Sequence, residues 1–128
     1  MTNIEIVQRF YVAFAGKDRD TILQLFAPDI EWIQSKGFPA GGRHVGAETV
    51  LNEVFTKFRV EWKSWEAPVN EWIDAGETII ALGEYRGTHA RTGKSMTAAF
   101  AHIYRVRNGR IAQFRQFTDT MKIAEAMH

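Results

Sequence analysis

Alternating polar and apolar positions predict two long strands in residues 95–118, joined by a tight turn at Asn108 and Gly109. Asn-Gly between two runs rich in β-branched and aromatic residues is typical of a hairpin, because both central residues of a type I′ turn need a positive φ. Side chains alternate with a period of two, so the even-numbered residues of the first strand share one face. These residues are Met96, Ala98, Phe100, His102, Tyr104 and Val106. The face is apolar apart from His102, and we therefore expect a pocket to be built around this imidazole.

The first half of the chain has helical spacing. Thr2 followed by Glu5 is typical of a capping box, and the helix it opens is expected to reach Gly16. Asp18 is expected to cap a second short helix that Pro28 ends. A third helix is predicted over residues 47–58. The residues predicted to face the core from these helices are Ile4, Val7, Phe10, Tyr11, Phe14, Ile22, Leu25, Phe26, Val50, Leu51, Val54, Phe55 and Phe58.

Strand patterns fill most of the remaining chain. A short strand is predicted over 29–34, and its two faces leave open whether Trp32 or its neighbours point inward. Longer strands are predicted over 60–73, with a break near Pro68, and over 77–89. The glycine-rich stretch 35–46 is interpreted as a mobile lid or rim, and Asp119 as the cap of a last short helix. Helices followed by a meander of strands predict one α+β domain over residues 1–128, with helices on one face of a mostly antiparallel sheet.

Composition narrows the function classes. The chain has 128 residues and is 45% hydrophobic, which suits one domain with a substantial core. Sixteen basic and 15 acidic residues leave a net charge of +1 without charge runs, which argues against a nucleic-acid or polybasic membrane interface. There is no cysteine, hence no disulfide and no thiolate site. Without a signal peptide or an apolar span, we expect a soluble, cytoplasmic protein.

Two stretches carry a family resemblance: Phe-Ala-His-Ile-Tyr-Arg-Val-Arg-Asn-Gly-Arg-Ile at 100–111 and Phe-Arg-Gln-Phe-Thr-Asp-Thr at 114–120. With the order of elements, they make nearly the whole chain resemble the SnoaL-like polyketide cyclases. This family lies in the superfamily of ketosteroid isomerases, limonene epoxide hydrolase and nuclear transport factor 2. The resemblance implies a cone-shaped, cystatin-like α+β barrel, in which a curved sheet wraps three N-terminal helices around an apolar pocket. It also implies a homodimer through the outer sheet face, but no single function, because this fold hosts enzymes, binders and transport factors.

The same resemblance suggests roles for individual residues. The cyclases and isomerases use an acidic residue on the strand before the last hairpin turn, and His102 stands at that place. Imidazole can act as acid or base near neutral pH. Gln116 shares its face, where it would orient a ligand carbonyl or fix the His102 tautomer, unless it only pairs across the sheet. The isomerase tyrosine aligns with Phe10, next to Tyr11, and the isomerase base aligns with Gln34, so steroid isomerisation by that mechanism is not expected.

Aromatic residues supply most of the expected pocket wall. The predicted ligand contacts are Phe10, Phe14, Trp32, Gln34, Phe55, Phe100, Phe114 and Thr118. Trp62, Trp65 and Trp72 are interpreted instead as facing a partner subunit.

The remaining polar candidates receive less specific interpretations. Glu84 and Arg86 have the spacing of a reactive pair in the epoxide hydrolase, but are interpreted as a solvated ion pair on one strand. His44 and His89 are expected at the rim of the pocket. The histidines lack the spacing of metal ligands, and neither a metal nor a cofactor is expected.

Two hypotheses for the function follow. In the first, the protein is a cofactor-independent cyclase or isomerase acting on a mostly apolar carbonyl compound. His102 would move a proton beside the carbonyl, and Gln116 would hold the developing enolate oxygen. In the second, the protein is a non-catalytic binding pocket or a dimeric interaction module, in which His102 is a polar anchor. A second titratable group near His102 would favour the enzyme.

Overall fold

The computed structural model describes all 128 residues. Helix α1 covers Asn3–Ala15 and helix α2 covers Arg19–Leu25. Helix α3 (Ala47–Thr49), a π-helical segment (Val50–Phe55) and helix α4 (Thr56–Glu61) follow one another as a continuous helical rod over 47–61. Helix α5 covers Thr120–Met127. No helix has the length and apolarity needed to cross a membrane.

Seven strands form one curved, open sheet. They are β1 (Phe26–Gln34), β2 (Gly42–Val45), β3 (Trp62–Glu66), β4 (Val69–Ala75), β5 (Thr78–His89), β6 (Ser95–Arg107) and β7 (Arg110–Thr118). Their order is β2-β1-β7-β6-β5-β3, and β4 also pairs with β5. Only the β1–β7 pair is parallel. The α+β fold predicted from the sequence is confirmed.

The C-terminal hairpin has the predicted geometry. Asn108 and Gly109 have φ values of 53° and 75°, as a type I′ turn requires. Every even-numbered residue from 96 to 106 is buried on the inner face of β6. The register sets His102 opposite Gln116 and Tyr104 opposite Phe114. The turn therefore places the imidazole inside the concave side of the sheet.

The helix predictions for α1 and the rod hold closely. Thr2 and Glu5 form the predicted capping box, and Gly16 follows the last turn of α1. Phe10 lies at the centre of the core, with its ring 5.1 Å from Phe26 and 5.9 Å from Trp32. Trp32 stacks on Phe114 at 3.8 Å. Strand β1 thus turns Trp32 inward, which answers the question that its sequence left open.

Strand β1 begins earlier than predicted. Helix α2 ends at Leu25, and β1 runs through Pro28 instead of starting after it. The β1–β7 register shifts between Phe26 and Glu31, so Pro28 lies in a gap of the ladder where its missing N–H breaks no hydrogen bond. The helical rod also extends to Glu61, beyond the predicted start of the next strand.

The stretch 35–46 is more ordered than a rim loop. Residues Gly42–Val45 form the edge strand β2 and pair with β1. Phe38 is buried and packs against Phe58 and Tyr85. Glycine content misled the prediction here, because pairing with β1 and burial of one aromatic ring fix the backbone.

The three tryptophans do not face outward as interpreted from the sequence. Trp62 is buried, Trp65 stacks on Phe58 at 4.6 Å, and Trp72 packs edge-on to Tyr11 at 5.3 Å. Strands β3 and β4 both pair with β5, one along each half, and this arrangement turns their tryptophans toward the helices.

The ion pair predicted between Glu84 and Arg86 on β5 does not form. Glu84 and Arg86 lie on the outer face of this strand, away from the core. Side chains two residues apart on a strand stand about 7 Å apart, and each is free to extend into water.

Candidate functional site

A narrow cavity lies between α1, the helical rod and the concave face of the sheet. Its volume is about 40 Å³. The lining residues are Phe10, Tyr11, Phe14, Trp32, Gln34, Phe55, Phe58, Trp65, Ala67, Tyr85, His102, Tyr104 and Phe114. No carboxylate is among them. Most of the wall is aromatic, so water held here is easily displaced by an apolar group.

His102 is the central polar group of this cavity. It is 4% exposed, and its ring stacks on Phe100 with a centroid distance of 3.9 Å. The hydroxyl of Tyr11 lies 2.5 Å from Nδ1, and the hydroxyl of Tyr85 contacts Nε2. Both ring nitrogens are therefore occupied by phenols, one from α1 and one from β5.

The hydrogen-bond network continues on both sides of the imidazole. Tyr104 donates its hydroxyl hydrogen to the Tyr11 oxygen over 2.7 Å. Gln116 Nε2 donates to the Tyr85 oxygen over 2.8 Å, while Gln116 Oε1 accepts the Ser35 N–H at 3.1 Å. Strand β7 thus holds Tyr85 in place through an amide whose other end is fixed by the backbone.

Burial keeps the whole network neutral. It lowers the pKa of His102 from 6.5 to about 3. It also raises the pKa of Tyr85, and it raises the pKa values of Tyr11 and Tyr104 well above 10. At neutral pH the imidazole consequently has one N–H donor and one lone-pair acceptor.

The network contains one hydrogen more than it uses. Three phenols and a neutral imidazole supply four hydrogens, but only three hydrogen bonds join these four rings. With Tyr104 donating to Tyr11, the spare O–H belongs to Tyr11 or to Tyr85, depending on the His102 tautomer. Both tyrosines line the cavity. The site can therefore offer one phenolic O–H to an oxygen acceptor.

Most of the predicted site residues surround this cavity. His102, Phe10, Phe14, Trp32, Gln34, Phe55 and Phe114 all line it. Three other predicted residues do not line it. Phe100 lies against the His102 ring, Gln116 bonds Tyr85, and Thr118 donates to the Ala99 carbonyl at 2.8 Å.

Sequence reasoning missed the three tyrosines as polar partners. Tyr11 and Tyr104 stood on faces already predicted to point inward, so their hydroxyls could have been paired with His102. Tyr85 had a weaker signal, because the orientation of β5 depends on its register with β6, in which Tyr85 pairs with Ala98. Trp65 and Ala67 were also not predicted to line the cavity.

Gln34 stands where the resemblance would put a carboxylate base. Its Oε1 accepts the Trp32 indole N–H at 3.1 Å, and its Nε2 donates to the Pro39 carbonyl at 2.9 Å. This amide is neutral and engaged at both ends. It fixes the Trp32 ring and the 35–46 segment and offers no base.

The other histidines lie outside the cavity. His89 is buried against Trp62, and its Nδ1 accepts the N–H groups of Arg91 and Thr92, so the prediction of a rim position was wrong. His44 Nε2 contacts the Ala40 carbonyl at 2.7 Å. No group of three or more His, Asp or Glu side chains is placed to hold a metal ion.

A curved, open and mostly antiparallel sheet around three helices is the fold of the NTF2-like and cystatin-like α+β proteins. The sequence profile of the SnoaL-like domain matches residues 7–114. The chain belongs to this family.

Solved structures agree with this assignment. An NTF2-like protein from Burkholderia thailandensis E264 is 38% identical, with a TM-score of 0.95 over 100% of this chain and 98% of that one. An NTF2-like protein of unknown function from Burkholderia pseudomallei K96243 is 30% identical, with a TM-score of 0.88 over 99% and 98%. TerC, co-crystallised with polyporic acid, is 25% identical, with a TM-score of 0.88 over 98% and 97%. None of the curated proteins matches the sequence.

Proposed function

We propose that the cavity binds an apolar compound through a carbonyl oxygen, and that the protein is a cofactor-independent isomerase or cyclase acting on it. The spare phenolic O–H beside His102 carries this proposal. A carbonyl oxygen is the acceptor that such a donor lacks. The aromatic wall excludes water, which strengthens a hydrogen bond to an oxygen on which negative charge develops.

The network also supports a role for His102 that differs from the direct base predicted from sequence. Both of its nitrogens are occupied, so the groups that reach the ligand are the phenols. When Tyr11 gives its proton to the carbonyl oxygen, Nδ1–H replaces it, and Nε2 takes the proton of Tyr85. The Tyr85 oxygen then accepts the proton that leaves the carbon next to the carbonyl. The sum is a proton moved from carbon to oxygen, with the imidazole left in its other tautomer.

A structural relative supports the proposal that the ligand is a small organic molecule. TerC was co-crystallised with polyporic acid, and it aligns with 98% of this chain. We propose that this chain binds a small organic ligand, and that it holds this ligand on the concave side of its sheet. We also propose a cytoplasmic location, with which the lack of cysteine is compatible.

A second candidate function is that of a non-catalytic binder. It is favoured by the absence of a carboxylate from the cavity wall and by the volume of about 40 Å³, which admits little more than the end of a ligand. In this case the O–H donor only anchors the ligand oxygen.

Hydrogen exchange separates the two candidates. We would incubate 2-acetylnaphthalene with the protein in D₂O and follow deuteration of its methyl group by NMR. The enzyme hypothesis predicts accelerated exchange, lost by at least about 100-fold in Tyr85→Phe and in His102→Gln. His44→Gln, a histidine change outside the cavity, is the matched control. Binding without accelerated exchange would contradict the enzyme and support the binder, and no binding at all would contradict both.

We further propose a homodimer through the outer sheet face. Phe117 and Ile73 are 53% and 38% exposed. They lie on this face opposite Ala101 and Ile80 in the register. Sedimentation at micromolar concentration should show a dimer that Phe117→Glu dissociates, and a monomeric wild type would contradict the proposal.

A further inference from the structure

A wider space adjoins the inner cavity, and we call it the vestibule. It is lined by Phe14, Ala15, Lys17, Phe55, Phe58, Arg59, Trp62, Lys63, Ser64, Trp65 and Glu66. Four of these aromatic residues, Phe14, Phe55, Phe58 and Trp65, also line the inner cavity. The vestibule has a volume of about 320 Å³, against about 40 Å³ for the inner cavity. A fused ring system fits the vestibule, and only its leading group fits the inner cavity.

The vestibule wall is basic. Lys17, Arg59 and Lys63 line it, and none of them forms an ion pair. Glu66 is the single carboxylate of the lining. The chain as a whole has a net charge of only +1, but three of the 11 vestibule residues are cations and one is an anion. Exposed, unpaired cations around an apolar groove favour an anionic ligand group.

A buried donor without a partner lies in the same wall. Trp62 is 3% exposed, and its indole N–H has no hydrogen-bond partner. Buried donors are almost always paired, because a donor that gives up its hydrogen bond to water on folding and finds no new acceptor destabilises the fold. The fold therefore supplies no acceptor for this N–H.

The backbone at Lys17 gives a third, independent observation. Lys17 follows the end of α1 with a φ of 55°, in the left-handed region that glycine and asparagine adopt more easily. Either of these residues would relieve the strain, but neither would carry a charge into the vestibule. The fold tolerates an unfavourable conformation that keeps a cation beside Phe14.

We propose that the ligand is an amphipathic carboxylate, which binds with its anionic group in the vestibule and its ring system among the shared aromatic side chains. Its far end enters the inner cavity, and the inference rests on the proposed function for the carbonyl oxygen at that end. Lys17, Arg59 and Lys63 select the charge, while Tyr11 or Tyr85 binds the oxygen. The chemical class is therefore a flat keto acid rather than a neutral ketone.

Three synthetic probes test the two ends separately by calorimetry. The first, 6-acetyl-2-naphthoate, has both groups. The second, 6-acetyl-2-naphthamide, lacks the charge, and the third, 6-ethyl-2-naphthoate, lacks the carbonyl oxygen. We expect the keto acid to bind about tenfold tighter than the amide, since each ion pair contributes a factor of roughly 1.4 to 5. Raising the ionic strength should weaken only the two acids.

Variants locate the charge selection. Arg59→Gln combined with Lys63→Gln should raise the dissociation constant of the keto acid about fivefold and leave that of the amide unchanged. The matched control is Arg107→Gln at the hairpin turn. This turn lies at the opposite end of α1, because Asn3 bonds the Gly76 carbonyl and Val106 N–H bonds the neighbouring Glu77 carbonyl.

Each outcome decides a different part of the account. If the amide binds as tightly as the keto acid, or if the double variant matches Arg107→Gln, the anionic ligand is ruled out and the proposed function stands. If 6-ethyl-2-naphthoate binds as tightly as the keto acid, the carbonyl contact of the proposed function fails while the charge selection stands. If none of the three probes binds, both are contradicted.

Discussion

The inner cavity and the vestibule share four aromatic side chains, but the charge and the hydrogen bonding of their polar groups differ. In the inner cavity each of the three tyrosines and His102 is hydrogen-bonded and uncharged. In the vestibule three cations have no ion-pair partner, and the indole N–H of Trp62 is unpaired.

The difference follows from the environment of each region. Charging a group away from water is unfavourable, and the lowered pKa of His102 expresses this. The vestibule cations reach water, so they retain their charge without a protein partner. The inner network should therefore contribute to stability, whereas the vestibule should contribute to selection of the ligand.

The largest expected effect comes from removing the imidazole. His102→Ala leaves a hole against Phe100 and removes a partner from Tyr11 and from Tyr85. We expect the free energy of unfolding to fall by about 3–5 kcal/mol. Arg59→Gln in the vestibule should change it by less than about 0.5 kcal/mol. Urea unfolding of the two variants tests this difference. If His102→Ala lowers the free energy of unfolding by less than about 1 kcal/mol, the inner network does not contribute more to stability than the vestibule.

The pH dependence of stability is the next largest effect. The pKa of His102 is about 3 in the folded protein and 6.5 when unfolded, so the unfolded chain binds more protons between these values. Stability should therefore fall as the pH decreases through this window, by about 2 kcal/mol between pH 7 and pH 5. His102→Gln should lack this contribution. Equal slopes for the variant and the wild type would show that His102 does not remain neutral.

Removing one hydroxyl at a time should destabilise the fold more in the middle of the hydrogen-bond network than at its end. Tyr85→Phe leaves both His102 Nε2 and Gln116 Nε2 without a partner, and we expect a loss of about 1–2 kcal/mol. Tyr104→Phe removes one hydrogen bond at the end of the chain and should lose about 0.5–1 kcal/mol. Thermal unfolding would compare them, and a larger loss for Tyr104→Phe would invert the predicted order.

The smallest effect is a gain in stability in the vestibule. Asparagine adopts the left-handed backbone of residue 17 more easily than lysine, so Lys17→Asn should stabilise the fold by about 0.5 kcal/mol. The same variant should bind 6-acetyl-2-naphthoate more weakly. Destabilisation by Lys17→Asn would show that the lysine is held for the fold and not for a ligand.

Local signals predicted the fold and half of the site. Asn108 and Gly109 set the hairpin register, and this register alone puts His102 and Gln116 on the concave face. Tyr85 depends on how β5 pairs with β6, which no neighbouring residue specifies. The inward tryptophans depend on β3 and β4 both pairing with β5. The vestibule cations come from the α1–α2 connection, the helical rod and β3, so their proximity exists only in the folded chain.

The most direct test of the account is the protonation state of His102 in solution. We would label the histidines with ¹⁵N and follow their ring nitrogens by NMR from pH 8 to pH 5, with His102→Gln identifying the signal. We predict one N–H and one lone-pair nitrogen throughout this range, because the pKa of His102 lies near 3. A titration with a midpoint near 6.5 would show that the imidazole is solvated and charged, and would contradict the neutral network on which the proposed function rests.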